Sequence, residues 1–235
     1  FYMAIMDRKE KVFVVKNFSH LKENLMFLSK SKENIILLDS NNKKNDYEFI
    51  FSYGKISELK SSDNSLEKLD NYINQVNDWI FGFISYDLME VSEDFNSKNL
   101  IYFDVPNLSF FQPSTIWIFD GVILRALYFD EKKLLEDWSE INKIHTSSDD
   151  NKNNLNVELK GRLSKEEYIK KIKNIKNRIK IGDTYELNFC FDFFNENTKI
   201  NPENTFKKLN KLTESPMSVY YKDKHFHILS SSPER

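Results

Sequence analysis

Hydrophobic positions along the chain follow two different periods. Short runs of β-branched and aromatic residues predict strands, and they fall at 11–16, 34–40, 47–54, 79–88, 115–129, 184–194 and 217–230. The run at 115–129 contains Asp120-Gly121, which favours a tight hairpin turn because both residues accept positive φ. We therefore interpret that run as two strands of a hairpin, and the last run as a hairpin that turns at Asp223-Lys224.

Apolar residues spaced by three or four positions predict amphipathic helices between these strands. The clearest helix begins after Ser164, which forms a Ser-x-x-Glu capping box with Glu167, and it ends at Gly182. Three more are predicted near 21–28, 131–141 and 202–212. The combination predicts an α+β fold, in which antiparallel β-sheets pack face to face and the helices lie outside.

A polar, asparagine-rich stretch divides the chain into two parts. Residues 145–157 are interpreted as a linker or long loop between an N-terminal region, 1–144, and a second region, 158–235. Such a stretch separates the two parts in sequence without preventing contact between them. We therefore expect the N-terminal strands and the strands after residue 184 to share one core.

Composition narrows the class of protein. The 235 residues carry a net charge of −2, which gives no electrostatic reason to expect binding to nucleic acid or to an anionic membrane. The single cysteine, Cys190, excludes an intrachain disulfide and a cysteine-built metal cluster. The first residues do not resemble a signal peptide, and no apolar run is long enough to span a bilayer. We expect a cytoplasmic protein.

Polar residues interrupt the hydrophobic pattern at two places. Glu186 and Asn188 alternate on the strand predicted at 184–194, so we expect them to share a face. At the end of the chain, Pro233 fixes the backbone next to Glu234. That arrangement can hold the carboxylic acid toward a ligand, as a general acid requires. An exposed turn residue is the alternative interpretation of Glu234.

Five segments resemble, in order, those of the chorismate-binding enzymes. They are "NIILLDS", "FGFISYDL", "EEYIKKIKNIKNRIKIGDTYELNF", "SPMSVYY" and "HILSSSPER". The family includes aminodeoxychorismate synthase component I, anthranilate synthase component I, and the isochorismate and salicylate synthases. The resemblance implies chorismate as the substrate and Mg²⁺ as the cofactor. For the amine-forming members, it also implies ammonia delivered by a glutamine amidotransferase subunit.

The resemblance further implies roles for particular residues. Glu234, within "SPER", becomes the candidate general acid for departure of the C4 hydroxyl of chorismate. The family's Mg²⁺-binding glutamates are expected beyond Arg235, so we expect no metal ligand within this chain. We therefore expect the chain to be an N-terminal fragment that is inactive by itself.

Three features favour the aminodeoxychorismate synthase type, which aminates chorismate at C4 on the way to 4-aminobenzoate and folate. They are Asn188, the complete "SPER", and "LLDS" at 37–40, where anthranilate synthases usually have Leu-Leu-Glu-Ser. Glu186 departs from the family pattern, which usually has Gln at that position. Anthranilate synthase component I is the alternative.

A hypothesis of another class treats the N-terminal sheet as a non-catalytic module that binds tryptophan, as a regulator or as a structural ligand. In the amine-forming synthases this region holds tryptophan, and an aromatic pocket with a few polar anchors suits an indole. Glu48 opposes the hypothesis, because an Arg stands there in some relatives and a carboxylate would repel that of the ligand. A filled hydrophobic core is the alternative. The matching positions are Ser40, Tyr47, Glu48, Phe49, Pro216 and Met217.

Overall fold

The computed structural model describes residues 7–15, 20–43, 46–62, 65–88, 102–143 and 157–231. These residues divide into two compact units, one within Phe1–Ser147 and Pro202–Arg235, the other within Ser148–Asn201. The predicted linker at 145–157 falls almost entirely outside the described residues. The region boundaries predicted around it stay predictions.

The first unit contains most of the strands and helices. Its strands are β1 (Lys9–Phe13), β2 (Ile35–Asp39), β3 (Phe49–Tyr53), β4 (Ser57–Ser61), β5 (Phe81–Ile84), β6 (Leu108–Gln112), β7 (Thr115–Phe119), β8 (Leu124–Tyr128), β11 (Ser218–Lys222) and β12 (His227–Ser230). Its helices are α1 (Leu21–Phe27), α2 (Ser65–Val76), α3 (Glu131–Lys143) and α5 (Pro202–Thr213). The second unit contains β9 (Lys160–Gly161), α4 (Lys165–Lys180) and β10 (Phe193–Phe194).

Seven strands of the first unit form one antiparallel sheet, in the order β1-β8-β7-β3-β2-β11-β12. At its centre β2 pairs with both β3 and β11, so that Leu37 lies opposite Phe51 on one side and Tyr220 on the other. The predicted β11–β12 hairpin is present, with Lys222 opposite His227. Its turn lies at Lys224-His225, one residue later than predicted, because the N–H of Asp223 still donates to the Phe226 carbonyl at 3.0 Å. This hairpin therefore shares a core with the N-terminal strands, as expected.

Helices cover one face of the seven-stranded sheet. The apolar side chains of these helices recur at helical spacing. Together with Trp117 and other buried residues of the sheet they form a first hydrophobic cluster. The helical members are Leu21, Leu25 and Met26 of α1, Leu134 and Ile141 of α3, and Phe206 of α5.

The opposite face packs against a second antiparallel sheet, with strand order β4-β6-β5. Phe81 and Phe111 of this sheet meet Ile36, Ile118 and Tyr221 of the larger sheet in a second hydrophobic cluster. The predicted α+β architecture, with antiparallel sheets face to face and helices outside, is confirmed. None of the described helices is long and apolar enough to cross a membrane.

The second unit confirms one prediction and corrects another. Ser164 Oγ accepts a hydrogen bond from the N–H of Glu167 at 3.1 Å, and the Glu167 carboxylate accepts one from the N–H of Ser164 at 2.8 Å, so the capping box is present. The strand predicted at 184–194 is wrong over most of its length, since only Phe193–Phe194 pairs, with Lys160–Gly161. An extended segment needs a neighbouring strand for its N–H and C=O groups, and no described strand pairs with residues 184–192.

Gly82 supports a stability prediction, because β5 and β6 approach each other too closely for a side chain. A Cβ atom at Gly82 would lie 2.0 Å from the Ser109 carbonyl oxygen and 2.6 Å from Phe110 Cα. Backbone atoms cannot move aside cheaply, so Gly82→Ala should lower the free energy of unfolding by about 1–3 kcal/mol, measured by urea denaturation. Gly161→Ala is the control, because its nearest contact would be 3.2 Å. Equal effects of the two changes would contradict this account.

Candidate ligand pocket at the junction of three strands

A pocket of about 460 Å³ opens where the ends of β2, β3 and β11 lie side by side. Its volume is in the range of small-molecule sites, roughly 300–1,000 Å³. Strand pairing therefore positions much of the site. The described lining residues are Leu38, Asp39, Ser40, Asp46, Tyr47, Glu48, Phe49, Ile50, Pro216, Met217, Ser218 and Val219.

The pocket floor lies on the face of the seven-stranded sheet that carries the second hydrophobic cluster. Leu38 lies opposite Val219 on β11 and Ile50 on β3, and all three pack against that cluster. Pairing continues one residue further, where the N–H of Ser40 donates to the C=O of Glu48 at 2.9 Å. Side chains two residues apart on a strand share a face, so Ser40 lies on the side of Leu38. Tyr47 packs against the second cluster, and Glu48 lines the pocket beside it.

Ser40 brings an unsatisfied polar atom to this floor. The residue is only 6% exposed, and its Oγ has no hydrogen-bond partner among the described residues. A buried hydroxyl without a partner is destabilising by about 1–3 kcal/mol, and buried polar groups are normally satisfied by protein or ordered water. A polar group of a ligand would therefore be stabilised next to Ser40 Oγ.

Glu48 brings a carboxylate to the same floor. Its N–H donates to the Phe119 carbonyl at 2.8 Å, which fixes its backbone, whereas its side chain forms no ion pair with another described residue. Burial raises the pKa of Glu48 above its ordinary value, with the positive charge of Lys22 acting in the opposite direction and the negative charge of Asp39 in the same direction. Among the described residues the carboxylate therefore has no ion-pair partner, although the charge of Lys22 favours its ionised form.

The side chain of Asp39 points to the other face of the sheet, where the helices lie. Lys22 Nζ on α1 donates to both carboxylate oxygens at 2.8 Å, and Asn210 Nδ2 on α5 donates at 2.8 Å. The N–H of Asn41 adds a bond of 3.0 Å. Asn41 has a φ of 51°, a region that asparagine enters more readily than most residues. These contacts neutralise the Asp39 charge.

The same polar network holds the wall of the pocket that precedes β11. Asn41 Nδ2 donates to the Ser215 carbonyl at 2.6 Å and to Asn210 Oδ1 at 2.7 Å. Pro216 and Met217 follow Ser215 directly in the chain. The end of β2 and the segment that leads into β11 are therefore tied together at the pocket.

The electrostatic character of the lining is acidic. It contains three carboxylates and no Lys, Arg or His among its described members. Asp39 is neutralised by Lys22 and Asp46 is exposed to water, which leaves Glu48 as the half-buried carboxylate of the lining without an ion pair. An anionic group is disfavoured beside it and a cationic group is favoured.

The six residues predicted for a tryptophan-like ligand all line this pocket: Ser40, Tyr47, Glu48, Phe49, Pro216 and Met217. Ser40 and Phe49 are buried, whereas Pro216 and Met217 are exposed. The tryptophan hypothesis did not include the apolar floor. Counting two residues along the strands from Ser40, Glu48 and Met217 gives the floor residues Leu38, Ile50 and Val219. Tryptophan binding stays a prediction.

The other predicted site residues are not in this pocket. Pro233 and Glu234 lie outside the described residues, so the role of Glu234 stays a prediction. Glu186 and Asn188 are exposed on irregular backbone, so their predicted common strand face is wrong, because no described strand pairs there. In the part of the chain that the structure describes, no three His, Cys, Asp or Glu side chains come together to hold a metal. These residues do not form a Mg²⁺ site, and no chemical step is assigned to the ion.

Comparison with known proteins identifies the family. The family model described as chorismate binding enzyme matches residues 22–235, which is most of the chain. The chain belongs to this family. The match begins within α1 and includes all three segments that line the pocket. No curated protein matches the chain.

One solved structure matches most of this chain. It is MenF, the menaquinone-specific isochorismate synthase from Escherichia coli, with a TM-score of 0.49 and 15% sequence identity. The similarity covers 97% of this chain and 50% of the MenF chain. The chain therefore spans about half the length of that solved relative.

Asp39 supports a prediction about the network that holds the pocket wall. Asp39→Ala should lower the free energy of unfolding by about 2–4 kcal/mol, because it leaves Lys22 and Asn210 without their buried acceptor. Urea denaturation measures the change. Glu131→Ala is the control, since it removes an exposed ion pair with Lys11 and should leave the midpoint nearly unchanged. An equally small effect at Asp39 would show that the network does not stabilise the unit.

Proposed function

We propose that the protein is component I of an aminodeoxychorismate synthase, which takes ammonia from a glutamine amidotransferase subunit and aminates chorismate at C4. The family match over residues 22–235 is the observation that carries chorismate as the substrate. Asn188, "LLDS" and "SPER" support the aminodeoxychorismate type. Anthranilate synthase component I is the alternative within the family.

The proposed reaction replaces the C4 hydroxyl of chorismate with an amino group and releases water. Hydroxide is a poor leaving group, so a positioned acid that protonates the departing oxygen lowers the barrier. Glu234 is proposed for this role on the sequence pattern alone. Mg²⁺ is proposed as the cofactor because of the resemblance to the family, with no residue of this chain assigned to it.

The identity of the product tests the proposal. Full-length protein carrying this sequence, supplied with chorismate, ammonia and Mg²⁺, should form 4-amino-4-deoxychorismate. Mass spectrometry separates this product from anthranilate, which forms by amination at C2 with loss of pyruvate, and from isochorismate, which forms with water as the nucleophile. Either of these as the main product would overturn the assignment.

Glu234→Gln in the same protein should lower turnover by a factor on the order of 10²–10⁴, the usual contribution of a general acid. Chorismate binding should be nearly unchanged, because the amide keeps the size of the side chain. Glu140→Gln, an exposed position on α3, is the matched control. Full activity of the Glu234 variant would remove this residue from the mechanism.

A specific observation favours a second, non-catalytic function. Six residues that match the tryptophan positions of the amine-forming synthases line one pocket of about 460 Å³. We propose that this pocket holds an indole ligand, tryptophan in the family's usual form, as a regulator or as a structural part of the fold. The apolar floor of Leu38, Ile50 and Val219 supports an aromatic ligand.

Calorimetry with tryptophan tests the second function. A saturable heat is expected at up to millimolar ligand, and Met217→Asp should abolish it by placing a charge at the exposed edge of the pocket. Leu212→Asp is the matched control, because Leu212 is exposed and is not among the lining residues. Absence of heat at millimolar tryptophan would reject tryptophan as the ligand.

A further inference from the structure

A chain of hydrogen-bonded side chains connects β12 to α5 on the helix side of the seven-stranded sheet. Nδ1 of His227 on β12 lies 3.0 Å from the hydroxyl oxygen of Tyr220 on β11. The same hydroxyl bonds to the Glu203 carboxylate of α5, which also accepts a bond from Ser29 Oγ at 3.2 Å. Tyr220 and Ser29 are fully buried, so water competes little for these contacts.

The protons of this chain have one consistent arrangement. A tyrosine hydroxyl carries a single proton, and an ionised carboxylate only accepts. Burial and the neighbouring carboxylate of Glu203 raise the pKa of Tyr220, so the hydroxyl keeps its proton and donates it to Glu203. Its oxygen then accepts from Nδ1–H of His227, which assigns the proton of the neutral imidazole to Nδ1.

Among the described residues, the imidazole of His227 is faced by one carboxylate, Glu203 of α5, and one ammonium, Lys222 of β11. Lys222 lies directly opposite His227, and its Nζ donates to the carbonyls of Ser29 and Lys32. Burial lowers the pKa of His227, with Glu203 acting in the opposite direction and Lys222 in the same direction. The imidazole is therefore mainly neutral at pH 7.

The contact with Tyr220 fixes a strand that has little else to orient it. Among the described strands, β12 lies at one edge of the seven-stranded sheet and pairs with β11 alone. Leu229 and Ile228 pack against the first and second hydrophobic clusters, but apolar contacts are not directional. A hydrogen bond has a preferred distance and angle, so the His227 contact sets the position of β12 against α5.

The position of β12 matters for the proposed reaction because the chain continues from this strand directly into "SSPER", which contains Glu234. A general acid must come within hydrogen-bond reach of the leaving oxygen. Small displacements of a catalytic group lower the rate sharply. A contact that holds β12 therefore acts on the residue proposed to protonate the C4 oxygen.

We propose that His227 is a positioning residue for the amination of chorismate. Its hydrogen bond to Tyr220, which Glu203 orients, holds β12 in the position from which the chain leads to Glu234. The inference rests on the proposed function, since it assigns a role relative to the proposed general acid. His227 acts through the strand and is not assigned a contact with the substrate.

Hydrogen exchange of the β11–β12 hairpin tests the contact without any substrate. Full-length protein carrying this sequence is compared with His227→Leu, which removes both ring nitrogens, and with His227→Asn, whose amide N–H replaces Nδ1–H. At pH 7 the protection factors of the β12 amides should fall about fivefold in His227→Leu and stay nearly unchanged in His227→Asn. His225→Asn, an exposed position in the turn of the same hairpin, is the matched control.

The contact also predicts a pH dependence of definite sign. The pKa of His227 is lowered in the folded protein, so the stability contributed by its neutral form is present above the ordinary histidine pKa and is lost as the pH falls from about 7 to 5. Protection of β12 should decline over that range in the unsubstituted protein and in His225→Asn. It should stay constant in His227→Asn, which cannot titrate. An equal decline in His227→Asn would overturn the role of the imidazole.

Turnover of chorismate with ammonia and Mg²⁺ tests the positioning role. His227→Leu should lower kcat by a factor on the order of 10–100 with little change in KM, because the proposed acid acts in the transition state. His227→Asn should restore most of the turnover at pH 7. Tyr220→Phe removes the hydroxyl and keeps the ring, so it should match His227→Leu, and the double variant should be no slower than either single variant.

The outcomes separate this inference from the functions proposed above. If the unsubstituted protein does not aminate chorismate, the catalytic proposal and the positioning role both fail, while hydrogen exchange still decides whether His227 holds β12. Amination at full turnover in His227→Leu overturns the inference alone. A loss of turnover that His227→Asn does not restore, or that adds in the double variant, assigns the effect to packing and also overturns it.

Discussion

The antiparallel pairing of β2 with β11 is the constraint on which the first unit depends. It places Tyr220 opposite Leu37 and Val219 opposite Leu38, so that alternate residues of β11 complete the cluster beneath the helices and the floor of the pocket. The two strands lie far apart in sequence, and loop closure opposes their meeting. Burial of apolar side chains on both faces of the sheet, together with the ladder of hydrogen bonds, stabilises the pairing.

Local sequence signals predicted local structure well. The Ser164–Glu167 capping box and the β11–β12 hairpin are present because each depends on residues a few positions apart. The strand predicted at 184–194 failed, because β-propensity describes a side chain's fit to a sheet and does not supply a partner strand. Strands β4 and β6 were not predicted, for a related reason. Both are short and only partly apolar, so only their pairing with each other shows that they are strands.

The pocket residues were predictable through family resemblance, and their physical arrangement was not. Sequence order gave no sign that 40, 48 and 217 meet, since the register of β2 against β3 and β11 is a property of the assembled sheet. The opposite environments of Asp39 and Glu48 could not be predicted either. Asp39 is neutralised by Lys22 of α1 and Asn210 of α5. Both partners are distant from most of the pocket in sequence or belong to another element, so no local pattern indicates them.

The two acidic residues at this junction, Asp39 and Glu48, have different surroundings. On the helix side, three donors converge on the buried carboxylate of Asp39: Lys22, Asn210 and the N–H of Asn41. On the pocket side, Glu48 and the unsatisfied hydroxyl of Ser40 line a pocket with an apolar floor. A buried polar network fixes geometry when all its members are satisfied, and here it holds the Ser215 carbonyl just before Pro216 and Met217. The polar network on the helix side therefore fixes the position of the pocket wall.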